Sequence, residues 1–169
     1  HLDLGSFVLD MLGERWFVDL GGDNYNVPGY FGKQRWNFYR CRAEGQNTLV
    51  LNPGREPDQD PRAVSAIAPF KSKAGRSFAV ADLSAAYAKS AASVRRGIAL
   101  IGRQVVVQDE VTAKRPAQLF WFMHTAADVT CKGSTATLTL GGRQLTARIL
   151  SPAGASFRVM PAEPLPTSP

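Results

Sequence analysis

Ile98-Ala99-Leu100-Ile101-Gly102-Arg103-Gln104-Val105-Val106-Val107-Gln108-Asp109-Glu110-Val111 is the stretch that decides the fold. Two apolar runs flank Gly102-Arg103, and glycine at the first of two central positions is a hairpin-turn signal. In the second run Val105, Val107, Asp109 and Val111 share one face, while Gln104, Val106, Gln108 and Glu110 share the other. The adjacent carboxylates Asp109 and Glu110 therefore point to opposite faces. They cannot act together on one glycosidic bond, and we read them as structural or surface charges.

The same period of two extends outward in both directions. Ala136 to Leu140 and Arg143 to Leu150 form a second hairpin around Gly141-Gly142. Leu119 to Ala126 is apolar on both faces, as expected of a central strand. His124 lies within it and reads as a buried, hydrogen-bonded histidine, since one histidine without a partner is a weak ligand signal. Upstream, Ala63 to Phe70, Ser77 to Leu83 and Thr48 to Leu51 read as strands, as do Ser6 to Met11 and Arg15 to Leu20, joined at Gly13. A short strand is expected near Phe157, and an alanine-rich turn or loop over Ser84 to Ser93. Helical periodicity is nearly absent. The pattern predicts an all-β, antiparallel two-sheet β-sandwich of about ten strands.

At 169 residues with 44% hydrophobic content the chain is long enough for one domain with its own core. We place that domain at 1–160 and a proline-rich tail at 161–169. No apolar run reaches the roughly eighteen residues of a membrane span. The formal charge of +6 favours an acidic partner. Nucleic acid is the weaker choice, because neither a basic tail nor a helix-turn-helix or finger pattern is present. Cys41 and Cys131 show no metal-ligand spacing, and a disulfide and two separate thiols both remain open.

Two loops carry chemistry. Asp23 to Arg42 holds Tyr25, Tyr30, Trp36, Phe38 and Tyr39 among Arg35, Arg40 and Arg42. Its length and aromatic content argue for an ordered functional loop, with ring faces and guanidinium groups suited to an acidic sugar chain. Arg55-Glu56-Pro57-Asp58-Gln59-Asp60-Pro61 reads as a solvated surface loop, since the ligand spacing of a calcium loop is missing. At the start of the chain, His1 and Asp19 bring an imidazole and a carboxylate on two successive strands, a pair able to hold a metal ion or an acidic sugar between them.

His1-Leu2-Asp3-Leu4-Gly5-Ser6-Phe7, Val18-Asp19-Leu20, Asp23-Asn24-Tyr25 and above all Arg42-Ala43-Glu44-Gly45-Gln46-Asn47-Thr48-Leu49-Val50 resemble the C-terminal β-sandwich of the heparinase II/III-like polysaccharide lyases, related to alginate lyases of the same architecture. The resemblance implies an α/α-toroid domain preceding residue 1, with an active site between the two domains. It implies β-elimination of an acidic, uronate-containing polysaccharide in the full-length enzyme, a periplasmic or secreted location, and an isolated fragment without activity. It also implies a zinc site at His1, Asp19 and Gln46. Gln46 stands where much of the family has a histidine directly before Asn-Thr, and a neutral amide is a poorer zinc ligand than imidazole, so the site either binds metal weakly, recruits another group, or is a hydrogen-bonded structural knot. The resemblance places the main catalytic tyrosine and the carboxylate-neutralising group on the toroid; on this chain Tyr30 first and Tyr39 second are the candidates for a supporting catalytic tyrosine, and Arg40 and Asn47 the substrate-binding candidates. The alternative is a non-catalytic carbohydrate-binding or structural β-sandwich with a degenerate metal site.

Overall fold

A computed structural model describes residues 1–169. The strands are β1 (Leu9–Met11), β2 (Glu14–Phe17), β3 (Leu49–Leu51), β4 (Ile67–Lys73), β5 (Arg76–Asp82), β6 (Ala91–Ile101), β7 (Gln104–Ala113), β8 (Leu119–Trp121), β9 (Asp128–Lys132), β10 (Thr135–Leu140) and β11 (Arg143–Arg148). All pairings are antiparallel, and the only helical elements are short 3-10 turns at Arg35–Asn37, Tyr39–Cys41 and Ala43–Gly45. The chain is thus all-β, as its periodicity predicts. Hydrogen bonds divide the eleven strands into four sets: β1-β2, β3-β8, β11-β10-β9 and β4-β5-β6-β7. No helix is long and apolar enough to cross a membrane.

The deciding hairpin is β6-β7, where Ile101 faces Gln104 and leaves Gly102-Arg103 as the turn. Gly102 adopts a φ of 59°, a left-handed value that glycine reaches without steric cost. The opposed orientation of Asp109 and Glu110 holds. Asp109 receives both arms of the buried Arg96 guanidinium at 2.7 and 2.8 Å, whereas Glu110 accepts from Gln108 at 2.9 Å.

β3 and β8 form the middle of the molecule. On one face Leu49 and Leu51 pack with Leu83, Ala86, Tyr87, Ala91 and Val94, and Trp121 leans on the same cluster. On the other, Val50 meets Leu2 and Ala43, with Phe120, Phe122 and Trp36 around them. A strand covered on both sides needs apolar residues at every position, which explains the unbroken run from Leu119 to Met123. A third cluster joins the β1-β2 hairpin to the β9-β11 sheet through Leu9, Trp16, Phe17, Ala136 and Leu138.

Some expectations need adjusting. Trp16 and Phe17 are both buried, so alternation fails in β2. The Trp16 indole donates to the Met11 carbonyl at 2.8 Å, while Phe17 sits edge-on to Phe7 and Trp121. β9 was not expected; Val129 and Cys131 alternate inward, but the strand is short and has charged ends. Near Phe157 no strand forms, although its backbone N–H meets the Gly133 carbonyl at 2.9 Å. The two cysteines are free, with Cys41 buried in the 3-10 region and Cys131 against the third cluster.

Candidate functional site

The ladder between β3 and β8 continues past the strand ends and assembles the site. The Phe122 N–H bonds the Thr48 carbonyl at 3.0 Å, and the Val18 N–H bonds the His124 carbonyl at 2.9 Å. Three stretches distant in sequence, around Val18, Asn47 and His124, therefore meet side by side. Asn47 is the hub. Its amide nitrogen donates to the carbonyls of Phe7 and Val18 at 2.8 and 2.9 Å, and its oxygen accepts the His124 backbone N–H at 2.7 Å. With its own N–H on the Ser6 hydroxyl at 3.1 Å, Asn47 is almost fully enclosed. Its amide has little capacity left for a sugar; Asn47 builds the site from beneath.

These bonds settle the tautomer of His124. Two carbonyl acceptors orient the Asn47 amide, so the atom 3.2 Å from His124 Nδ1 is an oxygen. Nδ1 must then carry the proton and donate it, which leaves Nε2 as an acceptor. Tyr39 Oη lies 2.8 Å from Nε2 and donates to it. Burial holds the His124 pKa below the ordinary histidine value, against the opposing pull of the Asp19 charge. Tyr39 is half-buried, and burial, reinforced by the Glu44 charge, pushes its pKa up to about 12. At neutral pH the pair is a phenol bonded to a neutral imidazole.

The predicted site residues separate into three groups. Tyr39 and Arg40 are half-buried, and His1 and Asp19 are exposed. Arg40 donates to the Leu20 carbonyl at 2.7 Å and pairs with Asp23 at 3.3 Å, which tethers the Asp23 loop to the 3-10 turns. Tyr30 is 1% exposed, in an aromatic group with Tyr25, Phe31 and Phe38, under the Arg35 guanidinium at 4.9 Å from its ring centre. The Cys41 thiol beside its hydroxyl, then burial, raise the Tyr30 pKa. Tyr30 is a packing residue at this depth, whereas Tyr39 presents its hydroxyl to the histidine.

Gln46 is 2% exposed, and its amide nitrogen donates to the Arg40 carbonyl at 2.8 Å while standing 3.3 Å from His1 Nδ1. Its oxygen is buried without a hydrogen-bond partner. Asp19 accepts the Gly21 N–H at 2.6 Å. No group of three or more His, Cys, Asp or Glu side chains is gathered to hold a metal. The amide nitrogen, not the oxygen, faces the imidazole, so this donor arrangement does not fit a zinc ion.

The loop carrying Tyr39 and Gln46 is fixed from below. Arg42 is fully buried and donates to the carbonyls of Trp36, Gly54 and Glu56 at 2.9, 2.7 and 3.1 Å and to Asp58 at 2.8 Å, with Glu44 at 3.2 Å. Asp58 is therefore a buried ion-pair partner rather than part of a solvated loop. Burial, the largest influence, pushes its pKa up to about 6 despite Arg42. Next to it, Gln59 bonds the backbone of Leu4 in both directions and donates to the Tyr87 hydroxyl. Glu44 reaches the proline-rich tail, accepting from the Leu165 N–H and the Ser168 hydroxyl at 3.3 and 2.9 Å. At Gly45 an added Cβ would overlap the Tyr39 carbonyl oxygen, so only glycine lets the two turns close.

Sequence reasoning missed the pairing of Tyr39 with His124, 85 residues apart. The signal lay in register: if the strand at Leu49–Leu51 faces the one at Leu119–Trp121, its backward extension runs alongside His124. No curated protein matches the chain. A family model described as "Heparinase II/III-like, C-terminal" matches residues 1–164. With nearly its whole length matched, the chain belongs to the heparinase II/III-like family, as the C-terminal domain.

Proposed function

We propose that this domain is the β-sandwich part of a periplasmic or secreted polysaccharide lyase, forming one wall of a cleft in which an acidic, uronate-containing polysaccharide is cleaved by β-elimination. A preceding α/α-toroid would supply the other wall. The observation that carries the proposal is the hydrogen-bonded series Tyr39–His124–Asn47, its tyrosine half-buried and followed directly by the half-buried Arg40. Elimination needs a base for the proton next to the uronate carboxylate and an acid for the departing oxygen. A tyrosine with a pKa of about 12 is a poor base by itself at neutral pH. With the His124 Nε2 lone pair on its hydroxyl, Tyr39 passes its own proton to the imidazole as its oxygen takes the substrate proton. The imidazolium formed donates from Nδ1 to Asn47, and the Asp19 charge favours it. Return of that proton through Tyr39 to the leaving oxygen completes the cycle without a net change in the protein. Arg40, tethered but still partly exposed, faces the polyanion as a positive group.

The alternative, a non-catalytic carbohydrate-binding or structural sandwich, is favoured by the amide-to-imidazole contact of Gln46 and His1 in place of a metal-ligand set. Incubation of the full-length protein with a panel of acidic polysaccharides separates the two. The lyase reading predicts growth of the ultraviolet absorbance of an unsaturated uronate. Binding without any such product from every polysaccharide tested would favour the alternative.

A further inference from the structure

We infer that Gln46 turns the position of the family's metal site into a hydrogen-bonded clamp, so that this domain holds His1 through an amide and works without zinc. The inference rests on the family assignment and on donor chemistry, and it is independent of the elimination step.

The orientation of the Gln46 amide is fixed by the Arg40 carbonyl, 2.8 Å from Nε2. Turning the amide over would set two carbonyl oxygens against each other. The amide carries two protons, and with one on Arg40 the other is available to His1 Nδ1, 3.3 Å away. A protonated Nδ1 would place two donors face to face, so Nδ1 is the acceptor and the ring proton sits on Nε2. The lone pair on Nδ1 is then engaged by the amide, and Nε2 has none to offer while this bond lasts. A metal would have to break the amide contact and change the tautomer before His1 became a ligand.

The remaining donors do not compensate. Asp19 is engaged at one oxygen by the Gly21 N–H. The Gln46 oxygen is uncharged and enclosed, and an amide oxygen is a hard, weak donor for an ion that prefers imidazole and thiolate nitrogen and sulfur. No third acidic, histidine or cysteine side chain joins His1 and Asp19. His124, the second of the chain's two histidines, is committed to Tyr39 and Asn47.

The test measures metal and leaves activity aside. The intact protein and its Gln46→His variant are equilibrated with zinc, dialysed and analysed for bound metal, and each is titrated with zinc by calorimetry. The wild type is expected to retain no stoichiometric zinc. Gln46→His is expected to gain one equivalent that survives dialysis, and to lose it again when His1→Ala or Asp19→Asn is added. One zinc per wild-type chain that disappears in His1→Ala overturns the inference. So does a Gln46→His variant that keeps the wild-type circular dichroism spectrum and gains no zinc, because glutamine would then not be what excludes the metal. Long-range nitrogen–proton correlation spectra give a second readout: the wild-type His1 ring should carry its proton on Nε2, and an Nδ1-protonated ring would contradict the clamp.

Discussion

Replacing Arg42 with methionine should strongly destabilise the domain. The substitution keeps much of the aliphatic volume and deletes the guanidinium. Left behind are the Asp58 and Glu44 carboxylates, 2% and 1% exposed at their side chains, and the carbonyls of Trp36, Gly54 and Glu56 without their donor. Removing one partner of a buried ion pair costs roughly 3–5 kcal/mol, because the other charge stays buried and uncompensated. At about 2–4 °C per kcal/mol for a chain of this length, a loss near 4 kcal/mol lowers the melting temperature by roughly 8–16 °C. The deficit should depend on pH. Asp58 has a folded pKa of about 6, above its unfolded value. Such a group contributes most to stability when protonated at low pH, and that contribution is lost as pH rises through the folded pKa. Without Arg42 the ionised form becomes costlier still, so the gap between variant and wild type should be widest above pH 6 and narrow as pH falls below it. Urea unfolding at pH 7.5 and pH 5, both illustrative choices of about these values either side of that pKa, measures it. A deficit under about 1 kcal/mol, typical of exposed pairs, would refute the buried network. A deficit independent of pH would refute the role assigned to Asp58.

Other outcomes follow from the same geometry. Gly45→Ala should displace Tyr39, whose carbonyl the new methyl group would overlap; a loss of about tenfold or more in kcat by steady-state kinetics is expected, as for small misplacements of reacting groups. In the pH profile of kcat, activity should fall as His124 becomes protonated and can no longer accept from Tyr39. Because burial lowers the His124 pKa, this acid limb lies below the ordinary histidine value of about 6.5, and no alkaline limb from Tyr39 should appear below its pKa of about 12. An acid limb clearly above the ordinary histidine value would exclude a neutral His124 as the acceptor.

How far the sequence could be read depends on which interactions are local. The β6-β7 hairpin and the β10-β11 hairpin are local in sequence, and their turn residues predict both, although β6 reaches back to Ala91, well before the expected start at Ile98 and into the stretch expected as a loop. The doubly apolar run at Leu119 revealed the central strand, since only coverage on both faces accounts for it. Charged and short elements carried less signal: Asp128–Lys132 hides its two inward residues between charged ends, and Asp58 in a proline-flanked acidic run gives no hint of the Arg42 that buries it. In the site, Gln46 was legible as a departure because it lies inside a recognisable stretch. Its consequence stayed open between a weak metal site and a hydrogen-bonded knot, since the direction of its amide depends on the Arg40 carbonyl. In sequence Tyr30 ranks ahead of Tyr39 as the supporting tyrosine. Tertiary packing separates them, enclosing one ring among other aromatics and setting the other against a histidine supplied by the extended stretch that follows β8.

The central claim is that Tyr39 and His124 move the protons of an elimination reaction, and kinetics of the full-length protein on its best acidic polysaccharide tests it most directly. Tyr39→Phe, which removes only the hydroxyl, is predicted to lower kcat by roughly 10²–10⁴-fold while KM stays nearly unchanged, and His124→Gln to lower it to a similar degree. Wild-type kcat in a folded Tyr39→Phe variant would contradict the account.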